Sequence, residues 1–166
     1  MPYDPEIHHR RSIRLRGYDY SQPGSYFVTI CTEGKEHLFG QVVEGEMHRN
    51  ELGDCVARGW KRLAQQYPYI DLDEWIIMPN HLHGIILIAD RAGASRTAKR
   101  KTLGRWVGAF KTVSTADINE LRGAPTHPLW QRDFYDHIIR NEDELNKIRE
   151  YIRTNPLQWA SDPDFT

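Results

Sequence analysis

The stretch Trp75-Ile-Ile-Met-Pro-Asn-His-Leu-His-Gly-Ile-Ile-Leu-Ile88 constrains the fold more than any other part of the 166-residue chain. Two apolar runs of strand length, rich in isoleucine, flank Pro79-Asn80, a dipeptide suited to a turn. The short connection predicts that residues 71–78 and 81–89 are antiparallel neighbours. Strand side chains alternate between faces, so His81 and His83 point the same way and Leu82 points the other. Paired neutral imidazoles are good ligands for a divalent metal. Taken alone, the tripeptide fits equally well as two ordinary strand histidines, one half-exposed and one hydrogen-bonded.

The rest of the chain supplies a sheet and its cover. Residues 1–24, rich in proline, glycine and charge up to Ser21-Gln-Pro-Gly24, read as an N-terminal arm. Tyr26-Phe-Val-Thr-Ile-Cys-Thr32 is a strand, dense in aromatic and β-branched residues. Residues 38–43 and 46–49 form a predicted hairpin turned at Glu44-Gly45. Val56, Trp60, Leu63 and Ala64 recur at helical spacing within residues 51–67, and Pro68 stops the helix. A Gly/Ala/Ser/basic loop at 91–101 precedes a second helix marked by Leu103, Trp106, Val107, Phe110 and Val113, whose exposed face carries Arg105 and Lys111. Residues 134–139 are the last predicted strand. Asn141 then caps a final helix, with Glu144 in capping-box position and Leu145, Ile148 and Ile152 as its buried stripe. Pro156 ends or kinks it. Strand pairs mixed with helices, without regular alternation, predict an α+β domain over residues 25–160: a ferredoxin-like antiparallel sheet with packed helices, followed by a short tail, 161–166.

Composition excludes several classes. With 39% hydrophobic residues, five Trp and eight Tyr, the chain can fill a core. No apolar run approaches the roughly 18–20 residues of a membrane span. The start, Met1-Pro-Tyr-Asp-Pro-Glu6, has no apolar centre like that of a signal peptide, so the expectation is a cytoplasmic protein without a membrane partner. Cys31 and Cys55 are expected as two buried reduced thiols rather than a bridge. The net charge of −1 points to no partner, but the charge is segregated. Residues 8–16 hold four arginines and no acid; residues 91–111 hold seven basic residues and no acid. Such blocks either face a polyanion or are simply solvated.

Tyr151 and Asn155 lie four apart on the final helix and share a face if the helix reaches that far. Each has an ordinary reading as well: a tyrosine at a packing boundary, and an asparagine at a helix end before proline.

Three segments in this order, Met78-Pro-Asn-His-Leu-His83, Trp130-Gln-Arg-Asp-Phe-Tyr-Asp-His-Ile-Ile-Arg-Asn141 and Glu150-Tyr-Ile-Arg-Thr-Asn-Pro156, resemble the REP-associated tyrosine transposases. These belong to the single-tyrosine HUH transposase superfamily. Arg10-Arg-Ser-Ile-Arg-Leu-Arg-Gly-Tyr-Asp-Tyr-Ser21 and Tyr26-Phe-Val-Thr-Ile-Cys31 extend the likeness over nearly the whole chain. The resemblance implies a ferredoxin-like sheet with the histidine pair on a central strand. It implies a nucleophilic tyrosine on the last helix, matching Tyr151, and a polar metal ligand one turn later, matching Asn155. It also implies a partner: hairpin DNA with an adjacent single-stranded tetranucleotide. The expected DNA contacts are Arg10, Arg11, Arg14, Arg16, Arg105, Lys111, Trp130 and Arg132, arginines on phosphates and guanine edges and aromatics on unpaired bases. Either a monomer or a homodimer is compatible.

These residue types suit one chemistry. Two imidazoles and an amide oxygen leave coordination positions open, as Mg²⁺ or Mn²⁺ requires for work on a phosphodiester. The implied reaction is single-stranded DNA cleavage and strand transfer through a 5′-phosphotyrosine. Tyr135 is a rival nucleophile, with no ligand-type residue four positions on. His137 is a rival ligand, though a strand histidine beside Asp136 reads more readily as structural. Two other functions compete: a catalytically silent nucleic-acid-binding module of the same fold, and a phosphoesterase that uses water.

Overall fold

The computed structural model describes Leu15, residues 17–90 and residues 102–165. Its elements are β1 (Gly24–Cys31), β2 (Gly40–Val43), β3 (Glu46–Arg49), α1 (Glu51–Gln66), β4 (Ile70–Met78), β5 (His81–Ile88), α2 (Leu103–Arg122), β6 (Tyr135–Ile139) and α3 (Glu142–Thr154). Short 3-10 segments follow at Asn155–Ser161 and Pro163–Phe165. The main sheet has the order β4-β5-β1-β6, every neighbouring pair antiparallel. β1 and β4 are therefore parallel with β5 between them, and β5 and β6 are parallel with β1 between them. These are the two interlocked crossovers of the ferredoxin-like arrangement that the sequence predicts. The β2–β3 hairpin stands apart, and its turn residues Glu44 and Gly45 both take positive φ, as a two-residue type I′ turn requires.

Alternation along the strands decides what each face meets. Tyr26, Val28 and Ile30 of β1 and Leu82 and Ile86 of β5 pack on one side with Trp60 and Leu63 of α1 and Trp106, Val107 and Phe110 of α2. Gly84 is required there: a Cβ would lie 2.5 Å from the Trp60 indole. Phe27 and Ile85 point the other way and, with Ile139, receive Ile148 and Ile152 of α3. Asn141 caps α3 through its side-chain oxygen, which accepts from the Glu144 amide at 2.8 Å. Glu144 itself reaches the Arg140 amide rather than that of Asn141, and also pairs with His137.

A bulge in β4 between Leu72 and Trp75 gives α3 a second hold. Asp73 and Glu74, inside the bulge, accept hydrogen bonds from Arg149 (2.6 and 2.8 Å) and Arg153 (2.9 and 3.1 Å), one helical turn apart on α3. The Arg149 guanidinium holds the Asp73 carboxyl below the usual carboxylate range. Neither Cys31 nor Cys55 is in a disulfide; the second is buried and the first only half-buried. Among the described residues no helix is long and apolar enough to cross a membrane.

Candidate metal centre

His81 and His83 open β5 directly after the Pro79-Asn80 turn, and that turn is pinned from outside the sheet. The Pro79 carbonyl accepts from the Leu38 and Phe39 amides at 2.8 and 3.0 Å, and the Asn80 carbonyl accepts from the Thr32 amide at 2.9 Å. The imidazoles are 0% and 1% exposed. Each Nδ1 has a fixed neighbour. The Asn80 Oδ1, which can only accept, takes the His81 Nδ1 proton at 2.7 Å, and Thr29 Oγ1 lies 2.8 Å from His83 Nδ1. The His81 proton is thereby placed on Nδ1, and its Nε2 lone pair faces the other ring. The two Nε2 atoms are 3.0 Å apart. Donors bonded to one octahedral ion at about 2.1 Å and about 90° to each other would stand about 3.0 Å apart. The Nε2–Nε2 separation therefore matches that of two neighbouring ligands of one cation.

α3 brings the remaining groups. Tyr151, half-buried, packs with its ring centroid 5.3 Å from that of His83 and 6.2 Å from that of Phe27. Regular helix stops at Thr154, but Asn155 keeps helical angles (φ −55°, ψ −41°), so it stays on the Tyr151 face despite Pro156. Asn155 is 1% exposed; its amide nitrogen donates to Asp162 Oδ2 at 3.1 Å, and its Oδ1 is buried with no hydrogen-bond partner. A buried carbonyl oxygen without a donor is what a cation or its water would satisfy. Asp162 is the residue that sequence reasoning missed. His81, His83 and Asp162 offer ligand atoms that all lie within 4.8 Å of one another. No α-helical or strand spacing links Asp162 to the motif, because it follows the 3-10 segment Asn155–Ser161.

Tyr135 shares the α3 side of the sheet with Tyr151, 6.1 Å from Phe27 by ring centroids. Burial, reinforced by Asp136 and Glu144, pushes its phenol well above the ordinary value, which disfavours the phenolate. His137 pairs with Glu144 at the start of α3 and is outside the His/His/Asp group.

The expected DNA contacts fare differently from one another. Arg105 and Arg132 are exposed. Lys111 is not a free surface cation: its ammonium donates to the carbonyls of Gln131, Arg132 and Asp133 at 2.8–3.1 Å, and burial lowers its pKa. Trp130 corrects the expectation of an aromatic platform for bases. It is only 7% exposed, packs against Phe39 and Phe110, and donates its indole N–H to Ser114 at 2.9 Å. Arg10, Arg11, Arg14 and Arg16, with residues 91–101 of the second basic block, lie outside the described residues.

No family model matches the chain. A Haemophilus influenzae protein of uncharacterised function is 38% identical over 173 residues, spanning 96% of this chain and 95% of that protein, and the two belong to one family. A second Haemophilus influenzae protein, provisionally named a REP-associated tyrosine transposase, is 24% identical over 144 residues, 84% of this chain and 74% of that protein. A REP-associated tyrosine transposase solved bound to a REP hairpin superposes with a TM-score of 0.58 at 18% identity, covering 87% of this chain and 73% of the other. The chain is thus similar in sequence to a provisionally named REP-associated tyrosine transposase and shares the fold of a solved one. A Deinococcus radiodurans protein provisionally named a transposase shares the fold as well, with a TM-score of 0.51 and 17% identity over 84% of this chain and 95% of its own. In this chain the sheet brings the histidine pair beneath the helix that carries Tyr151.

Proposed function

We propose that the protein is a metal-dependent single-stranded DNA endonuclease and strand transferase of the cytoplasm, acting on hairpin repeat DNA, with Tyr151 as its nucleophile. The observation that carries this reading is the meeting of Tyr151 with His83 at 5.3 Å between ring centroids, over an imidazole pair whose Nε2 atoms converge at 3.0 Å. His81, His83 and Asn155 would hold Mg²⁺ or Mn²⁺, which when bound neutralises non-bridging oxygens of the scissile phosphate. Tyr151 Oη forms a bond to phosphorus as the bond to the 3′-oxygen breaks. The products are a 5′-phosphotyrosine and a free 3′-OH, and the proton lost by the phenol is balanced by the one gained on the 3′-oxygen. A second 3′-OH can reverse the step, so strands are joined without ATP. Thr29 and Asn80 hold the imidazoles, and Phe27 supports the tyrosine ring. Arg10, Arg11, Arg14 and Arg16, with exposed Arg105 and Arg132, supply phosphate and base contacts.

Incubation with end-labelled hairpin DNA tests the reading. Wild type forms a covalent adduct that EDTA abolishes, and Tyr151→Phe binds DNA normally but forms none, because only the phenolic oxygen is removed. An adduct in Tyr151→Phe would transfer the role to Tyr135. DNA binding by wild type with no adduct under any metal would make the protein a silent binding module of the same fold.

A further inference from the structure

Among the described residues, one more ligand-type side chain reaches the imidazole pair: Asp162. We infer that Asp162 is a ligand of the same divalent cation as His81 and His83, making a two-histidine, one-carboxylate centre with the Asn155 amide oxygen as a neutral donor, and that this centre prefers Mn²⁺ to Mg²⁺. The inference rests on the metal-site part of the function proposed above.

Three observations lead to it. The first is convergence: the ligand atoms of His81, His83 and Asp162 lie within 4.8 Å of one another, and all three residues are buried. The second is the Asn155 amide. With its N–H groups turned to Asp162 Oδ2 at 3.1 Å, its oxygen is left buried and without a hydrogen-bond donor. One cation bound by the carboxylate and by that oxygen would satisfy both ends of the contact. The third is that the chain beyond α3 is held in place. Trp159 packs against the His81 and His37 rings at 5.9 and 5.4 Å and against Phe165 at 5.2 Å. Lys35 Nζ donates to the Pro163 carbonyl at 3.3 Å, and His37 Nε2 donates to that of Phe165 at 3.0 Å. Asn80 Nδ2 also donates to the Lys35 carbonyl, at 3.3 Å. The segment bearing Asp162 and the turn bearing the histidines thus share one support, residues 35–39, and their separation is set by it.

The metal preference follows from the donors. Mg²⁺ favours oxygen ligands and retains its waters, whereas Mn²⁺ accepts imidazole nitrogen beside carboxylate. The test uses the full chain without DNA, titrated with MnCl₂ and then with MgCl₂ as competitor, with free Mn²⁺ read from its electron paramagnetic resonance signal. Wild type should bind Mn²⁺ at least about 10-fold more tightly than Mg²⁺. Asp162→Asn retains an oxygen for the Asn155 N–H but loses the charge, and should weaken Mn²⁺ binding at least about 10-fold, the scale of a lost metal-site contact. Asp162→Glu keeps the charge and should bind better than Asp162→Asn. Metal-free melting curves report whether either variant is misfolded. Wild-type affinity in Asp162→Asn, or equal weakening in the Asn and Glu variants, would overturn the inference while leaving the transferase reading intact. A wild type that binds neither metal would overturn both the inference and the metal dependence. Mn²⁺ binding without adduct formation would count against the transferase reading alone.

Discussion

The two faces of the sheet are built to different ends. On the α1/α2 side the strands meet Trp60, Leu63, Trp106 and Phe110 in a continuous apolar core. On the α3 side the fully buried apolar cluster is small: Phe27, Ile85, Ile139, Ile148 and Ile152. Beside it, at one end of β5, sit buried Thr29, His81, His83, Asn155 and Asp162. Apolar area supplies most folding free energy, and each buried polar atom without a partner costs part of it. Segregating the two lets one face carry stability while the other keeps a polar centre. It also explains why α3 is fastened by Arg149–Asp73, Arg153–Glu74 and His137–Glu144 in addition to its apolar stripe.

Trp60→Ala, on the apolar face, should have the largest effect on stability, about 3–5 kcal/mol by urea denaturation, since it opens a cavity against Gly84 and Phe110. A loss no larger than that of a substitution on the α3 side would break the comparison. Thr29→Val comes next. It leaves His83 Nδ1 without its hydroxyl, which should cost about 1–3 kcal/mol. DNA cleavage should fall about 10–100-fold, as when a metal-orienting contact is lost. Unchanged cleavage would mean that the Thr29 contact does not position the ring. Asp73→Asn should be the mildest, and its effect depends on pH. The folded pKa of Asp73 lies below its unfolded value of about 3.9, so its stabilisation is present above about pH 4 and is lost as pH falls through the folded value. Urea midpoints of variant and wild type should differ at neutral pH and converge in acid. A gap that persists in acid would assign the effect to packing rather than to the Arg149 pair.

Local regularities in the sequence were enough to determine the elements and much of the geometry of the candidate site. Period-two alternation around Pro79-Asn80 put both imidazoles on one face, because a strand leaves no other choice. The same alternation in β1, the Asn141 cap and the helical stripe of α3 placed Tyr151 and Asn155 one turn apart on a helix that could cover that face. What tertiary structure alone decided involves groups distant in sequence. Trp130 is buried because Phe39, Phe110 and Ser114 close around it, and a tryptophan in an irregular segment carries no periodicity to show this. Lys111 looks like one more basic residue on an exposed helix face until the carbonyls of residues 131–133 fold back over it. Asp162 comes within reach of the histidines only because residues 155–165 turn back onto the 35–39 connection. Strand and helix periods are properties of the backbone and can be read in a line of residues. The closing of an irregular segment on a site depends on which distant surfaces attract it, and so was settled only by the folded chain.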